Sequence, residues 1–255
     1  MISHKRLDEI RRELLKAQAE IAEALRAEKT RKRADMNRKL HEIRQMLTPA
    51  YAFMSQAGQD SVVDRYFNFM EGGTFIDIGG YDGVTGSNTV FFEKWRGWTG
   101  VLVEPVETFR ARAEKARACP CLPYAVADTS GSATFISVTD GFTQMSGLSD
   151  TYDSGMLQKV RENPRHKEET LTVETRTLAD ILTETGITHP DFVSLDIEGG
   201  ELAALQAFPF ADHRVGIWAI ENNTAAREIN DLMRSHGYEL IDFCGPDEIY
   251  ALRKA

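Results

Sequence analysis

From Thr74 onward, apolar runs of strand length alternate with amphipathic stretches of helix length, and no other feature of the sequence constrains the fold as much. A strand buried on both faces needs helices over both, so the pattern predicts a parallel sheet with helices on each side. The strand-like runs are residues 75–78, 100–104, 122–126, 192–196 and 215–221, and the helical stretches are 89–95, 106–118, 201–208 and 225–236. Four of the runs finish at or beside an acid: Asp77, Glu104, Asp196 and Glu221. Open α/β sheets bind ligands beyond the carboxyl ends of their strands, so these acids are expected to converge on one crevice. Residues 239–243 and 248–252 read as a closing hairpin around Cys244-Gly-Pro-Asp247, adding an antiparallel element.

Ahead of this body lies a segment of opposite charge. Residues 1–48 carry 13 Lys and Arg against 8 Asp and Glu, whereas residues 49–255 carry 17 against 31, so the net charge of −9 divides into +5 and −14. An acidic body argues against nucleic-acid binding, which rests on Lys and Arg neutralising phosphates. Leu7, Ile10, Leu14, Ala17, Ile21 and Ala24 are spaced by threes and fours, as in a coiled-coil seam. Met36, Leu40, Ile43 and Leu47 resume the seam out of register, after a basic stretch at residues 28–33. No Gly or Pro precedes Pro49, so one or two helices totalling roughly 70 Å are expected. Three roles fit: a dimerising coiled coil that would make a homo-oligomer, a basic surface helix meeting a membrane or partner, or a helix packed on its own domain. The chain therefore divides into an N-terminal helical, coiled-coil-like segment, 1–48, and a body, 49–255.

Residues 139–176 break the alternation, being long, polar and rich in Gly, Ser, Thr and Asp, then basic, then strand-like at TLTVETR. Such a stretch inside a compact domain is either a functional lid or disordered, and residues 139–170 are read as a substrate lid. No run approaches the roughly 20 apolar residues of a spanning helix, and the amino terminus lacks the apolar core of a secretory signal. No transmembrane segment and a cytoplasmic address are therefore expected. Cys119, Cys121 and Cys244 are too few and too scattered for a disulfide framework, and weak as a zinc site.

The chemistry starts where the first run enters glycines, Phe75-Ile-Asp-Ile-Gly-Gly-Tyr-Asp-Gly83. Glycines let the backbone turn sharply and approach a ligand closely, and the N–H groups of a loop or helix start can hold an anionic group. Asp77 before Gly79, and Glu104 closing the next strand, sharpen this into a nucleoside site, because a carboxylate at the end of a second strand can accept hydrogen bonds from ribose hydroxyls. Both a dinucleotide and S-adenosylmethionine fit such a site. A pyrophosphate needs the G-x-G-x-x-G pattern, however, and Asp82 would repel it, whereas the ammonium and sulfonium of S-adenosylmethionine are favoured by acids. Asp77 and Asp82 could also merely cap turns.

Ser55-Gln56-x-Gly58-Gln59-Asp60, the glycine loop, Ser87-Asn88-Thr89, Gly97-Trp98-x-Gly100-Val-Leu-Val-Glu-Pro105 and Leu195-Asp-Ile-Glu-Gly-Gly-Glu201 together resemble the FkbM family of S-adenosylmethionine-dependent methyltransferases. The resemblance covers roughly residues 55–253, and Tyr81 stands where the family usually has Asn. It implies a class I, Rossmann-like methyltransferase fold with a mostly parallel seven-stranded sheet, and S-adenosylmethionine as cofactor. By the same resemblance, Asp77, Gly79 and Asp82 would line the methionine end, Glu104 would hold the ribose and Asp128 the adenine amino group, and Gln56, Tyr81 and Asn88 would also bind the cofactor. The acceptor it implies is a hydroxyl of a sugar, glycan or other small secondary metabolite.

Methyl transfer is an in-line displacement at an already activated carbon, so a protein mainly aligns the acceptor and excludes water. An alcohol acceptor also needs a base or a metal ion to take on alkoxide character. Asp196 or Glu198 could act as base. Alternatively, Asp196, Glu221 and Asn222 could bind Mg²⁺, an arrangement that resembles the acid sites of some class I O-methyltransferases. A third possibility is that these acids only cap the following helix, as Glu201 could. His166 is the one histidine in a flexible polar context with the reach to meet an acceptor. Two rival functions remain: an assembly module whose body is catalytically idle, and an NAD-dependent redox enzyme.

Overall fold

The structure is a computed structural model that describes residues 3–253; the first two residues of the front segment and the last two of the body lie outside it. Three helices lead: α1 (His4–Ala27), α2 (Arg33–Leu47) and α3 (Gln59–Tyr66). The chain continues through β1 (Thr74–Ile78), α4 (Val90–Arg96), β2 (Thr99–Val103), α5 (Glu107–Ala116), β3 (Cys121–Leu122) and β4 (Ala125–Val126). Next come β5 (Gly131–Asp140), β6 (Gly147–Leu148), α6 (Ser154–Arg161), β7 (Lys167–Arg176) and α7 (Leu178–Thr185). The last elements are β8 (Phe192–Leu195), α8 (Glu201–Gln206), β9 (Ile217–Glu221), α9 (Arg227–Ser235), β10 (Tyr238–Cys244) and β11 (Asp247–Leu252).

Seven strands form the main sheet in the order β3-β2-β1-β8-β9-β11-β10. All pairs are parallel except those of β11, which runs antiparallel to both neighbours, so the expected seven-stranded, mostly parallel sheet of a class I methyltransferase is what forms. Side chains alternate across it, as the period of two demands. Ile76, Ile78, Val193, Leu195, Trp218 and Ile220 pack on one side with Leu178, Leu205 and Met233 of α7, α8 and α9. Phe75, Leu102, Phe192, Ile217 and Ala219 pack on the other with Val63, Phe92 and Ala113 of α3, α4 and α5. Winding reverses between β1 and β8, and there a crevice must open beyond the strand ends.

The run at 122–126, expected as a single strand, is two. Pro123 lacks an N–H, the ladder with β2 ends at Leu122, and Ala125–Val126 turn away to pair with Thr175 and Arg176 of β7. A second sheet results, in the order β4-β7-β5-β6. It absorbs most of the polar segment read as a lid, since β5 and β7 pair along their whole length from Gly131↔Thr175 to Asp140↔Lys167. The polar composition that suggested a loop belongs to a sheet with one wet face: five of the first six residues of β7 are exposed, and its buried positions are Val173 and Thr175. Residues 141–146, between β5 and β6, run irregularly along the crevice at the main sheet's strand ends, and residues 149–153, after β6, lie against the loop that follows β8.

The front segment bends at the basic stretch. Arg33 donates to Leu25 O at 2.6 Å and Glu28 O at 2.9 Å, and its guanidinium forms a bidentate pair with Asp242 of β10. Arg31 donates to Glu248, Asn222 O and Pro246 O. Asn37 adds a bond to Asp242, and Leu40 and Ile43 of the second stripe are buried. The boundary expected at residue 48 therefore separates two elements that pack together. In contrast, α1 has no buried residue; Ile10, Leu14, Ala17 and Ile21 are half-buried, and Leu7 is 50% exposed. Among the described residues, no helix is long and apolar enough to cross a membrane.

Candidate active site

At the end of β1 the chain passes β8 so closely that a Cβ on Gly79 would lie 1.9 Å from Asp196 O, and Gly79 also takes a positive φ of 80°. Only glycine allows both, so the loop's first glycine joins the two strands at the winding reversal. Asp77, two residues earlier, points to the α4–α5 side and is anchored inside the protein. It accepts from Thr89 Oγ1 at 2.5 Å and Ser87 Oγ at 3.2 Å, and the Arg117 guanidinium stands 4.0 Å away. Burial pushes its carboxyl up, against the pull of Arg117 and the two hydroxyls. Arg117 donates in turn to Gly83 O at 3.0 Å, tying this acid to the far end of the glycine loop.

Glu104 follows β2 and is buried, yet it faces the crevice. Its Oε2 accepts from Tyr81 N at 3.1 Å and its Oε1 from Val106 N at 2.8 Å. Each oxygen keeps a lone pair, because an ionised carboxylate has about four acceptor positions. Burial pushes Glu104 up to about 7, opposed by the two amides. Tyr81, with a φ of 47°, packs its ring on Phe109 at 4.5 Å and shares a 2.7 Å hydrogen bond with Thr143, joining the glycine loop to residues 141–146.

These groups line a crevice of about 450 Å³. One end is apolar, with Pro105, Phe109, Tyr124, Ala125 and Val126; the other is polar, with Gln56, Asn88, Ser194 and Asp247. Asn88 donates to Ser194 Oγ at 3.0 Å and to Asp247 at 3.3 Å, and its Oδ1 is buried without a partner. Asp247 also accepts from Gln59 at 3.1 Å, and burial pushes it up to about 6. Asp60 accepts from Ser55 Oγ, Met54 N, Ser55 N and Ser61 N, fixing the turn that presents Gln56.

Beyond β8 and β9 the acids gather. Asp196, Glu198 and Glu221 each bring an oxygen within 4.8 Å of the others. Burial, then Asp247 and Glu201, push Asp196 up to about 7; burial, then Asp196 and Glu201, push Glu198 up to about 9. Glu221 is raised well above an ordinary carboxylate by burial and then by Asp196 and Glu198. Glu198 adopts a φ of 60°, which non-glycine residues seldom hold. Glu201 has the capping role: its oxygens accept from Ile197 N at 2.9 Å and Gly199 N at 3.1 Å. A smaller cavity of about 210 Å³ lies behind the acids, and Glu198 and Glu221 face both spaces.

Gln56, Asp77, Gly79, Tyr81, Asn88, Glu104, Asp196, Glu198 and Glu221 thus meet on one crevice; four expected residues do not. Asp82 folds back on its own turn, accepting from Val84 N, Thr85 N and Thr85 Oγ1. Asp128 is exposed in the turn after β4, where its carboxylate accepts from Thr129 Oγ1, because the chain has already left the main sheet. His166 sits beside β7 with its Nε2 2.9 Å from Glu168 and does not line the crevice. Asn222 is used by the backbone: its Nδ2 donates to Ala226 O at 2.9 Å and its Oδ1 accepts from Ala226 N at 2.8 Å, while Glu198 completes the acid cluster in its stead. Asp247 and Ser194 escaped the sequence reading. Ser194 shows only as the polar member of an apolar run, and Asp247 reaches the site because β11 inserts beside β9, opposite Glu221.

The family profile of the methyltransferase FkbM domain matches residues 77–240. Among solved structures, the chain is similar to methyltransferase FkbM from Methylobacillus flagellatus KT, at 13% identity and a TM-score of 0.47, over 93% of this chain and 58% of that one. It thus spans less than two thirds of that protein. It is also similar to a TehB-like SAM-dependent methyltransferase from Corynebacterium glutamicum, at 10% identity and a TM-score of 0.41, over 82% and 94% of the two chains. A precorrin-6y C5,15-methyltransferase from Geobacter metallireducens gives 11% identity and a TM-score of 0.41, over 78% and 89%. No curated protein matches the sequence.

Proposed function

The chain belongs to the methyltransferase FkbM family, and from that premise we propose that it moves a methyl group from S-adenosylmethionine to a hydroxyl of a sugar, glycan or related secondary metabolite. The observation that carries the cofactor reading is Glu104, whose two oxygens are aimed by backbone amides and keep lone pairs suited to the two ribose hydroxyls. The rest of the crevice fits the same molecule. Pro105, Phe109, Tyr124, Ala125 and Val126 offer the adenine an apolar slot, and the partnerless Asn88 Oδ1 offers the methionine ammonium an acceptor. When bound, the cofactor supplies a sulfonium-activated methyl group.

The protein's own part is alignment, exclusion of water and management of one proton. Residues 141–146, held by Tyr81 through Thr143, cover the crevice and limit water access. Asp196 opens on the crevice from the end of β8, within the cluster of acids that would draw on the proton of an acceptor hydroxyl. The smaller cavity beyond, with Thr151, Asn223 and Thr224 on its walls, is polar enough for an acceptor that carries several hydroxyls.

Calorimetry with S-adenosylmethionine tests this reading. Hydrogen bonds to a charged group contribute about 1.5–3 kcal/mol each, so Glu104→Ala is expected to weaken binding by about 100-fold or more, with a thermal melt verifying the fold. Wild-type affinity in that variant would overturn the cofactor placement. Mass spectrometry of glycans incubated with labelled cofactor then identifies the acceptor.

A further inference from the structure

The acids beyond β8 and β9 differ from the other buried carboxylates of this protein. Arg117 faces Asp77, Arg96 holds Asp64, Arg33 holds Asp242 and Arg31 holds Glu248. Asp60, Glu104 and Glu201 accept from backbone amides, and Asp247 accepts from Gln59 and Asn88. Among the described residues, no Lys, Arg or His pairs with Asp196, Glu198 or Glu221. Glu198 and Glu221 are each 7% exposed, and in each Oε2 has no partner. Three carboxylates held within 4.8 Å and mostly out of water call for a positive charge that the chain does not supply.

We propose that Asp196, Glu198 and Glu221 hold one divalent, oxygen-seeking cation such as Mg²⁺, Mn²⁺ or Ca²⁺ in the wall between the crevice and the smaller cavity. An all-carboxylate set suits these hard cations and leaves their remaining positions to water or a hydroxyl. Because Glu198 and Glu221 face both cavities, an acceptor hydroxyl arriving from either side meets the same wall. A divalent cation eases deprotonation of a hydroxyl that it ligates. That role rests on the methyl-transfer reading; the binding site itself does not.

The experiment uses the full chain, stripped with a chelator and titrated with Mn²⁺ alone, followed by electron paramagnetic resonance and by calorimetry. One Mn²⁺ per chain is expected, with a raised melting temperature and displacement by Mg²⁺ or Ca²⁺. Glu198→Gln and Glu221→Gln should each reduce Mn²⁺ affinity by about tenfold or more while the chain stays folded, because a neutral amide relieves like-charge repulsion. Glu104→Ala should leave Mn²⁺ affinity unchanged while weakening S-adenosylmethionine. Failure of the folded wild-type chain to bind millimolar Mn²⁺ would overturn the proposal, as would binding that survives the Glu198→Gln, Glu221→Gln double variant. If S-adenosylmethionine fails to bind while Mn²⁺ behaves as expected, the methyl-transfer reading falls and the cation site stands.

Discussion

The two halves of the crevice use the same residue type in opposite ways. On the β1–β2 side, Asp77 is opposed by a buried arginine and Glu104 by two amides; on the β8–β9 side, Asp196, Glu198 and Glu221 have only one another. The first arrangement fixes acceptors in a defined geometry. The second crowds acids whose negative form nothing in the chain compensates, so burial and mutual repulsion hold them toward the protonated form. A strand-end acid is thus defined by its donors, and its position in the sheet does not tell the two jobs apart.

Breaking the compensated half should have the largest effect. Arg117→Ala leaves Asp77 buried without its counter-charge and is expected to cost about 3–5 kcal/mol in chemical denaturation, with partial recovery when Asp77→Asn is added. Next comes the pH dependence of Glu104. With its folded pKa near 7, about one tenth is ionised at pH 6, so cofactor affinity should rise about tenfold between pH 6 and 8. The sign for stability is the reverse. A raised carboxyl favours the folded state fully below its unfolded value near 4.5 and loses that contribution as pH rises through 7, so the cofactor-free protein should soften where binding improves. Calorimetry and melts across that window test both trends. The smallest effect belongs to the uncompensated half: in chelator at pH 8, Glu198→Gln should raise stability by about 1 kcal/mol, and a loss instead would mean that hidden donors hold this acid.

The same contrast explains how much was legible in the sequence. Apolar runs announce strands because burial on both faces leaves few alternatives, and the four strand-end acids do meet beyond the sheet. Asp82 and Asn222 look like ligands in sequence because Asp and Asn serve turns and helix starts with the same atoms they would offer a ligand, and here the backbone claims them. Asp128 was misplaced once Pro123 diverted the chain into a second sheet, and Asp247 was invisible because its approach to Glu221 depends on the order of strands distant in the chain. In the front segment, periodicity gave the two stripes without saying that Arg31 and Arg33 clamp the second helix to the body.

Gly79 has a mechanical consequence. Since a Cβ on Gly79 would lie 1.9 Å from the main-chain oxygen of Asp196, the separation between the glycine loop and the acids beyond β8 is set by backbone against backbone, with no side chain between to flex. The two reactants of the proposed transfer would therefore be gauged from a single rigid joint, and a methyl group added there would pry the loop and the strand end apart.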